Sequence, residues 1–401
     1  MLSTKFESLG KKFNTNLNQR KGELKVTNIN SQTPIDLLDG SCIDVLPEGR
    51  SVEAGAPAGA LELALPTNKL WECGRVLDFH FLNGTDAQKA TFRSDAAKWS
   101  AYANLVMRFD AAVENSEFRV SFGNQGNWSY VGTDNLGIPA GTTTMAIQNL
   151  SSIRHEVGHA IGCIHEHSSP ASSIEWNKPV VYQVLGGSPN YWDQAKVDHN
   201  VFNKYAADQT QFSAFDPNSI MLYFFPASWT LNGVGTHENS ALSDTDKAFI
   251  NRCYPGCTVD FSKPQIATGG CTVKTGPRTF FNNYYGNSWI MNQPNDSFIE
   301  VSFNQPKQYN GNDIYRTAKL KMVHLTSMNG PKAGNSPVDI IVNGNVIKSN
   351  YSPPSGNYLF DEWDILQYMN NGANTVRINF KSAKTNYWIK KLQVDCARIL
   401  K

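Results

Sequence analysis

No run of eighteen apolar residues occurs anywhere in the sequence, so no membrane-spanning helix is expected. Charge of one sign is not in excess. The 36 lysines and arginines face 35 aspartates and glutamates, and neither nucleic acid nor an anionic membrane surface is implied as a partner. The first residues, Met1-Leu2-Ser3-Thr4-Lys5-Phe6-Glu7, carry charges where a signal peptide needs its apolar stretch. The expectation is a secreted chain that leaves by a leaderless or unrecognised route, with a cytoplasmic location as the alternative. Paired CxxC knuckles are missing from the seven cysteines, which argues against a metal site built of thiolates. Cys253, Cys257 and Cys271 lie close in sequence and would suit disulfides in an oxidising compartment. A repeat of fixed period is also absent.

What is there divides into three textures, and 401 residues suffice for two or three cores. Residues 1–70 are polar and read as an N-terminal extension or pro-segment. Residues 71–256 read as an α/β region. In it Val76–Leu82 alternates as a strand does and closes on Asn83-Gly84, and 85–104 has helical spacing through Phe92, Ala96 and Trp99. Extended runs follow at Val106–Phe109, Phe118–Phe122 and Thr143–Ile147. Residues 257–401 carry many short strands punctuated by Asn343-Gly344, Ser352-Pro353-Pro354-Ser355-Gly356 and Asn370-Asn371-Gly372, the pattern of an antiparallel β-sandwich.

Chemistry concentrates between Thr143–Ile147 and the sandwich, in His155-Glu156-Val157-Gly158-His159-Ala160-Ile161-Gly162-Cys163-Ile164-His165. Residues four apart share a helix face, so His155 and His159 can address one metal ion. Ser151 or Ser152 can cap that helix. A continuing helix would carry position 165 out of reach, but Gly162 readily takes the left-handed conformation that turns the chain and returns His165. Three imidazoles with one position left open describe a catalytic zinc site rather than a closed structural one. Zinc lowers the pKa of water bound to it to about 7 and polarises a carbonyl. Glu156, beside the first histidine, can then serve as base and later as acid, with a peptide carbonyl as electrophile. One Zn2+ per chain and a protein or peptide substrate are expected. A bare HExxH arises by chance often; the added glycine and third histidine make chance very small.

HExxHxxGxxH is the signature of the metzincin metallopeptidases, and Ser219-Ile220-Met221-Leu222-Tyr223 resembles their Met-turn. The resemblance implies a metzincin-like α/β (α+β) catalytic domain, with an active-site helix and a mixed sheet, hydrolysing peptide bonds of proteins. It implies His155, His159 and His165 as zinc ligands, Glu156 as catalytic base, Met221 as an apolar floor and Tyr223 as an extra ligand or oxyanion donor. Glu166 after the third histidine, His165-Glu166-His167-Ser168-Ser169-Pro170, Trp128–Asp134 and Leu242-Ser243-x-x-Asp246-Lys247 favour the astacin-like branch, over about residues 71–256. Leu222 departs from it, because astacins usually carry histidine there. In astacins the counterpart of Glu166 contacts the processed N-terminus; here a solvated or capping carboxylate is the alternative. Thr143–Ile147 stands where metzincins have an edge strand that pairs with substrate, a central strand being the alternative.

The flanks add expectations of their own. An extension ahead of a peptidase suggests latency, and Asp39-Gly40-Ser41-Cys42 offers either a thiolate or a carboxylate to block zinc, against a disulfide or a plain thiol for Cys42. The all-β C-terminal part resembles galactose-binding-like jelly rolls through Pro337–Gly344. There Tyr351, Tyr358, Trp363 and Trp388 could stack on sugars or fill the core, which leaves glycan binding as one role and plain stabilisation as the other.

Overall fold

The structure, a computed structural model, describes residues 62–399 apart from 189, 206, 208, 209, 285, 327–335, 354–357 and 383–384. Nearly all of the expected N-terminal extension, with Asp39 and Cys42, therefore lies outside the described residues. In chain order the first part contains β1 (Glu62–Pro66), β2 (Val76–Phe81), α1 (Asp86–Ser100), β3 (Val106–Arg108), β4 (Phe118–Phe122), β5 (Trp128–Ser129), β6 (Met145–Ile147) and α2 (Ile153–Ala160). It continues through α3 (Lys178–Leu185), α4 (Gln194–Val197), a π-helical turn (Asp198–Phe202), β7 (Thr210–Ser213) and α5 (Asp244–Cys253).

Five of these strands form a mixed sheet in the order β3-β2-β4-β6-β5, parallel except for β5, while β1 and β7 pair separately. The expected edge strand at Thr143–Ile147 is instead an interior one. Trp128–Ser129 returns antiparallel against Ala146 and Met145 and takes the edge, while β4 flanks β6 on its other side. α1 starts at a capping box in which Thr85 and Gln88 satisfy each other's backbone N–H, and it buries Phe92, Ala96 and Trp99. Phe79 stacks on Phe118 at 4.4 Å between ring centroids and meets Phe92 at 5.8 Å. Each such pair contributes about 0.5–1.5 kcal/mol beyond the area it buries. The core they share with Trp99, Val157, Met221 and Phe249 ties the sheet to α1, α2 and α5.

The second part is all β. Its strands are β8 (Gly256–Asp260), β9 (Ala267–Gly269), β10 (Thr272–Thr275), β11 (Thr279–Asn282), β12 (Ser288–Met291), β13 (Phe298–Gln305), β14 (Gln308–Tyr309) and β15 (Asn312–Asp313). Then come β16 (Tyr315–Thr326), β17 (Val338–Val342), β18 (Asn345–Tyr351), β19 (Leu359–Asp364), β20 (Gly372–Phe380) and β21 (Tyr387–Arg398). One antiparallel sheet runs β10-β13-β20-β17-β18, and the other runs β11-β12-β21-β16-β19, with β8 joined to β21 and β9 to β8. Alternate residues of both sheets (Ile299, Val301, Val376 and Ile378 from one, Leu320, Met322, Leu392 and Val394 from the other) fill one core, the sandwich the punctuation predicts. The aromatics singled out for sugar stacking are committed inward or to partners. Trp388 is 3% exposed, Tyr351 donates to Asp361 and stacks edge-on to Trp363, and Tyr358 donates to Ser288.

The sandwich is bonded to the α/β core. The Arg398 guanidinium at the end of β21 donates to the carbonyls of Trp71 (2.9 Å) and Cys253 (3.0 Å). Gln305 of β13 accepts from the Gly256 N–H at 2.7 Å and donates to Asn251 of α5 at 3.2 Å. Among the described residues, no helix is long and apolar enough to cross a membrane.

Candidate metal centre

α2 carries His155, Glu156 and His159 on a helix of eight residues. Its start differs from the expected side-chain cap: a 3-10 turn over Leu150–Ser152 leads in, and Ser152 makes no capping bond. Its end is as the sequence indicates. Gly162 has φ +105°, and its N–H donates to the His159 carbonyl at 2.8 Å while Cys163 N–H reaches Gly158 at 2.9 Å. The chain so turned returns His165 to the two helical histidines.

The three Nε2 atoms stand 3.2 Å (His155 to His159), 3.1 Å (His159 to His165) and 3.2 Å (His155 to His165) apart. Nitrogens each about 2.0–2.1 Å from one zinc ion in a tetrahedron would be roughly 3.3 Å apart, so the residues fit that ion. The protonation fits as well. His155 Nδ1 lies 2.7 Å from the Ile220 carbonyl and His159 Nδ1 2.8 Å from the Cys163 carbonyl. A carbonyl only accepts, so these Nδ1 atoms carry the protons and the Nε2 lone pairs are turned inward. Among the described residues this is the one group of histidine, cysteine or carboxylate side chains so disposed. Glu156 and His159 are fully buried, and so is His165.

Ser219–Tyr223 is built under and beside these histidines. Besides the Ile220 carbonyl, the Met221 carbonyl accepts from Glu166 N–H at 2.9 Å, so one turn holds the first and third histidine segments. A Cβ placed on Gly158 would come within 2.4 Å of the Met221 sulfur, which is how closely that side chain fits beneath α2. The turn is in turn fixed by Asp246 of α5, which accepts from Ser219 Oγ (2.8 Å), Ile220 N–H (2.9 Å) and Ser243 N–H (2.9 Å). The sequence signal for this task of Asp246 is Ser243-x-x-Asp246, a capping box whose acid also faces the turn. The Tyr223 ring lies 4.0 Å from His165 and 6.2 Å from His155, centroid to centroid.

Glu166 is not solvated. It is fully buried, and its carboxylate accepts from Asp216 N–H at 2.8 Å. Burial, reinforced by the nearby Asp246 and Asp216 carboxylates, pushes its acid well above the usual carboxylate range. Burial likewise pushes the Cys163 thiol up, in keeping with an inert side chain. His324, far along the chain, is bonded within the sandwich to Asp361 (2.7 Å) and Tyr387 (2.6 Å).

Residues 65–254 match the peptidase family described as Astacin. The chain is also 37% identical to myroilysin, covering 98% of that structure with 48% of its own length, at a TM-score of 0.46. The chain belongs to the astacin family. As an astacin-family member it is a zinc-dependent metalloendopeptidase, with a catalytic domain of helices and mixed sheet followed by an all-β domain. It is similar at 17% identity to high choriolytic enzyme 1, a hatching enzyme zinc-protease from Oryzias latipes, covering 46% of this chain and 94% of that one at a TM-score of 0.32. A family 35 carbohydrate-binding module from Paenibacillus barcinonensis is similar at 17% identity, over 35% of this chain and 98% of that one, at a TM-score of 0.25. No curated protein matches the chain.

Proposed function

We propose that His155, His159 and His165 hold the catalytic zinc of this endopeptidase and that Glu156 is its general base. The supporting observation is the triangle of Nε2 atoms at 3.1–3.2 Å with two of the opposite ring nitrogens spent on carbonyls. Zinc held there would polarise the scissile carbonyl and lower the pKa of water. Glu156, buried one residue beyond His155, takes a proton from the attacking water and returns it to the leaving amine. Tyr223 offers its phenol to the negative oxygen that develops on the former carbonyl. Removal of metal with a chelator should abolish cleavage of a mixed peptide library, and added Zn2+ should restore it. Cleavage that persists in metal-free protein contradicts the assignment.

On this reading residues 71–256 form the catalytic domain, 257–401 an accessory domain, and 1–70 a pro-segment that imposes latency on a secreted enzyme. For the accessory domain, glycan targeting is supported by Phe280, Tyr284 and Phe360, which are 39%, 73% and 60% exposed. They replace the inward aromatics named from sequence as candidates for stacking on sugar rings. Pull-down on insoluble polysaccharides by wild type against a Phe280, Tyr284 and Phe360 triple alanine variant tests this role. Equal retention of both proteins argues for plain stabilisation instead.

A further inference from the structure

A fourth imidazole, His167, packs into the same group of rings, and the proposed chemistry leaves it without a task. It is 1% exposed. Its ring centroid lies 4.6 Å from Tyr223 with planes 29° apart, and 5.3 Å from His165 with planes 16° apart. With His165 and Tyr223 themselves at 4.0 Å, each of the three rings touches the other two. Tyr223 therefore rests in a notch whose one wall is the third histidine of the metal cluster and whose other wall is His167. Trp176 closes the outer side of His167, edge-on at 6.1 Å.

That second wall is itself anchored. His167 Nε2 lies 2.9 Å from the Asn200 carbonyl, so this nitrogen carries a proton and donates. Asn200 sits in the π-helical turn, where Asn203 N–H reaches back five residues to Asp198 at 2.8 Å. The Asn200 side chain donates to the Lys196 carbonyl at 2.9 Å and so ties the turn to α4. A phenylalanine at 167 would fill the same space but leave a buried carbonyl without its donor. The Asn200 bond thus stabilises this wall of the fold, while the contact with Tyr223 is made by the flat face of the ring, which a phenylalanine also offers.

We infer that His167 is a positioning residue for Tyr223, its ring holding the phenol-bearing ring against His165 of the three-histidine cluster. The inference rests on Tyr223 taking part in the reaction, and the test separates the two. The chain is labelled with 3-fluorotyrosine, and the Tyr223 resonance is assigned through Tyr223→Phe in metal-free protein. His167→Gln keeps a donor for Asn200 and removes the ring. It should move the resonance toward that of exposed tyrosines and lower kcat by about the factor seen in Tyr223→Phe, with KM changed less than about threefold. The double variant should be no slower than Tyr223→Phe alone. His167→Phe keeps the ring and should retain the resonance position and most of kcat, which keeps the inference testable if His167→Gln fails to fold. An unmoved resonance in His167→Gln, additive losses in the double variant, or a lost resonance position in folded His167→Phe overturns the inference. If Tyr223→Phe keeps wild-type kcat, the role of Tyr223 falls, while the resonance in metal-free protein still decides what holds its ring.

Discussion

At the scale of single residues, the centre is defined by where lone pairs and protons sit. His155 and His159 each give an Nδ1 proton to a carbonyl, so their metal-facing nitrogens need no deprotonation to bind. His165→Ala removes one corner of the triangle, and zinc retained after dialysis should fall to well below one ion per chain, measured by atomic emission. Unchanged zinc would contradict the three-histidine site. Tyr223→Phe should bind zinc normally and lose about 100-fold in kcat, the size expected for one oxyanion donor. These residues were legible because their chemistry is local: helical spacing puts His155 and His159 together, and Gly162 tells where the chain turns. Beside them His167 read as a supporting or an exposed residue, but its bond to Asn200 was not legible, because it crosses 33 residues and runs through a main-chain carbonyl that has no sequence signature.

At the scale of elements, the turn at Gly162 returns His165 to the two histidines of α2, and the Ser219–Tyr223 segment braces them from beside and beneath. At φ +105° any side chain is strained, and a Cβ at Gly162 would stand 3.3 Å from Leu65 and 3.5 Å from the Lys69 carbonyl. Gly162→Ala should therefore destabilise by about 1–3 kcal/mol and weaken zinc binding, read by denaturant titration and by competition with a chelator. Wild-type stability would show that the turn is not under this constraint. The start of α2 is braced differently, by Arg154 bonded to Asp95 of α1 at 2.6 Å. Burial works to raise the pKa of Asp95, but the hydrogen bonds from Lys98 and Arg154 outweigh it and hold the carboxyl below its ordinary value. A depressed folded pKa means that this brace contributes above the unfolded pKa and is lost as pH falls through the folded one. Asp95→Asn should accordingly flatten the acid limb of thermal stability, and an unaltered limb would rule the brace out. Strand and helix positions were largely readable from period and capping. The order of the sheet was not: a two-residue strand such as Trp128–Ser129 carries too little pattern to reveal that it takes the edge from Met145–Ile147.

For the whole molecule, the two cores are distinct yet joined by hydrogen bonds from the half-buried Arg398 and the buried Gln305. Arg398 reaches from the last strand to Trp71 and Cys253 near the two ends of the catalytic domain, and its guanidinium lies 5.6 Å from the Tyr254 ring centroid. Arg398→Ala should cost about 1–3 kcal/mol, because two buried carbonyls lose their donor. Its effect should appear in a single unfolding transition shared by both domains; two separate transitions would show that the seam carries little. Composition and turn signals indicated an all-β part after an α/β one, but a seam made of carbonyls and glutamine amides leaves no trace in hydrophobic pattern.

On the proposed reading His155, His159 and His165 hold the zinc and Glu156 moves the protons, and one comparison tests both. Zinc content and peptide cleavage are measured side by side for wild type and Glu156→Gln. The prediction is about one zinc per chain in each and a kcat at least ~100-fold lower in the variant. Undiminished cleavage by Glu156→Gln with zinc bound would contradict it.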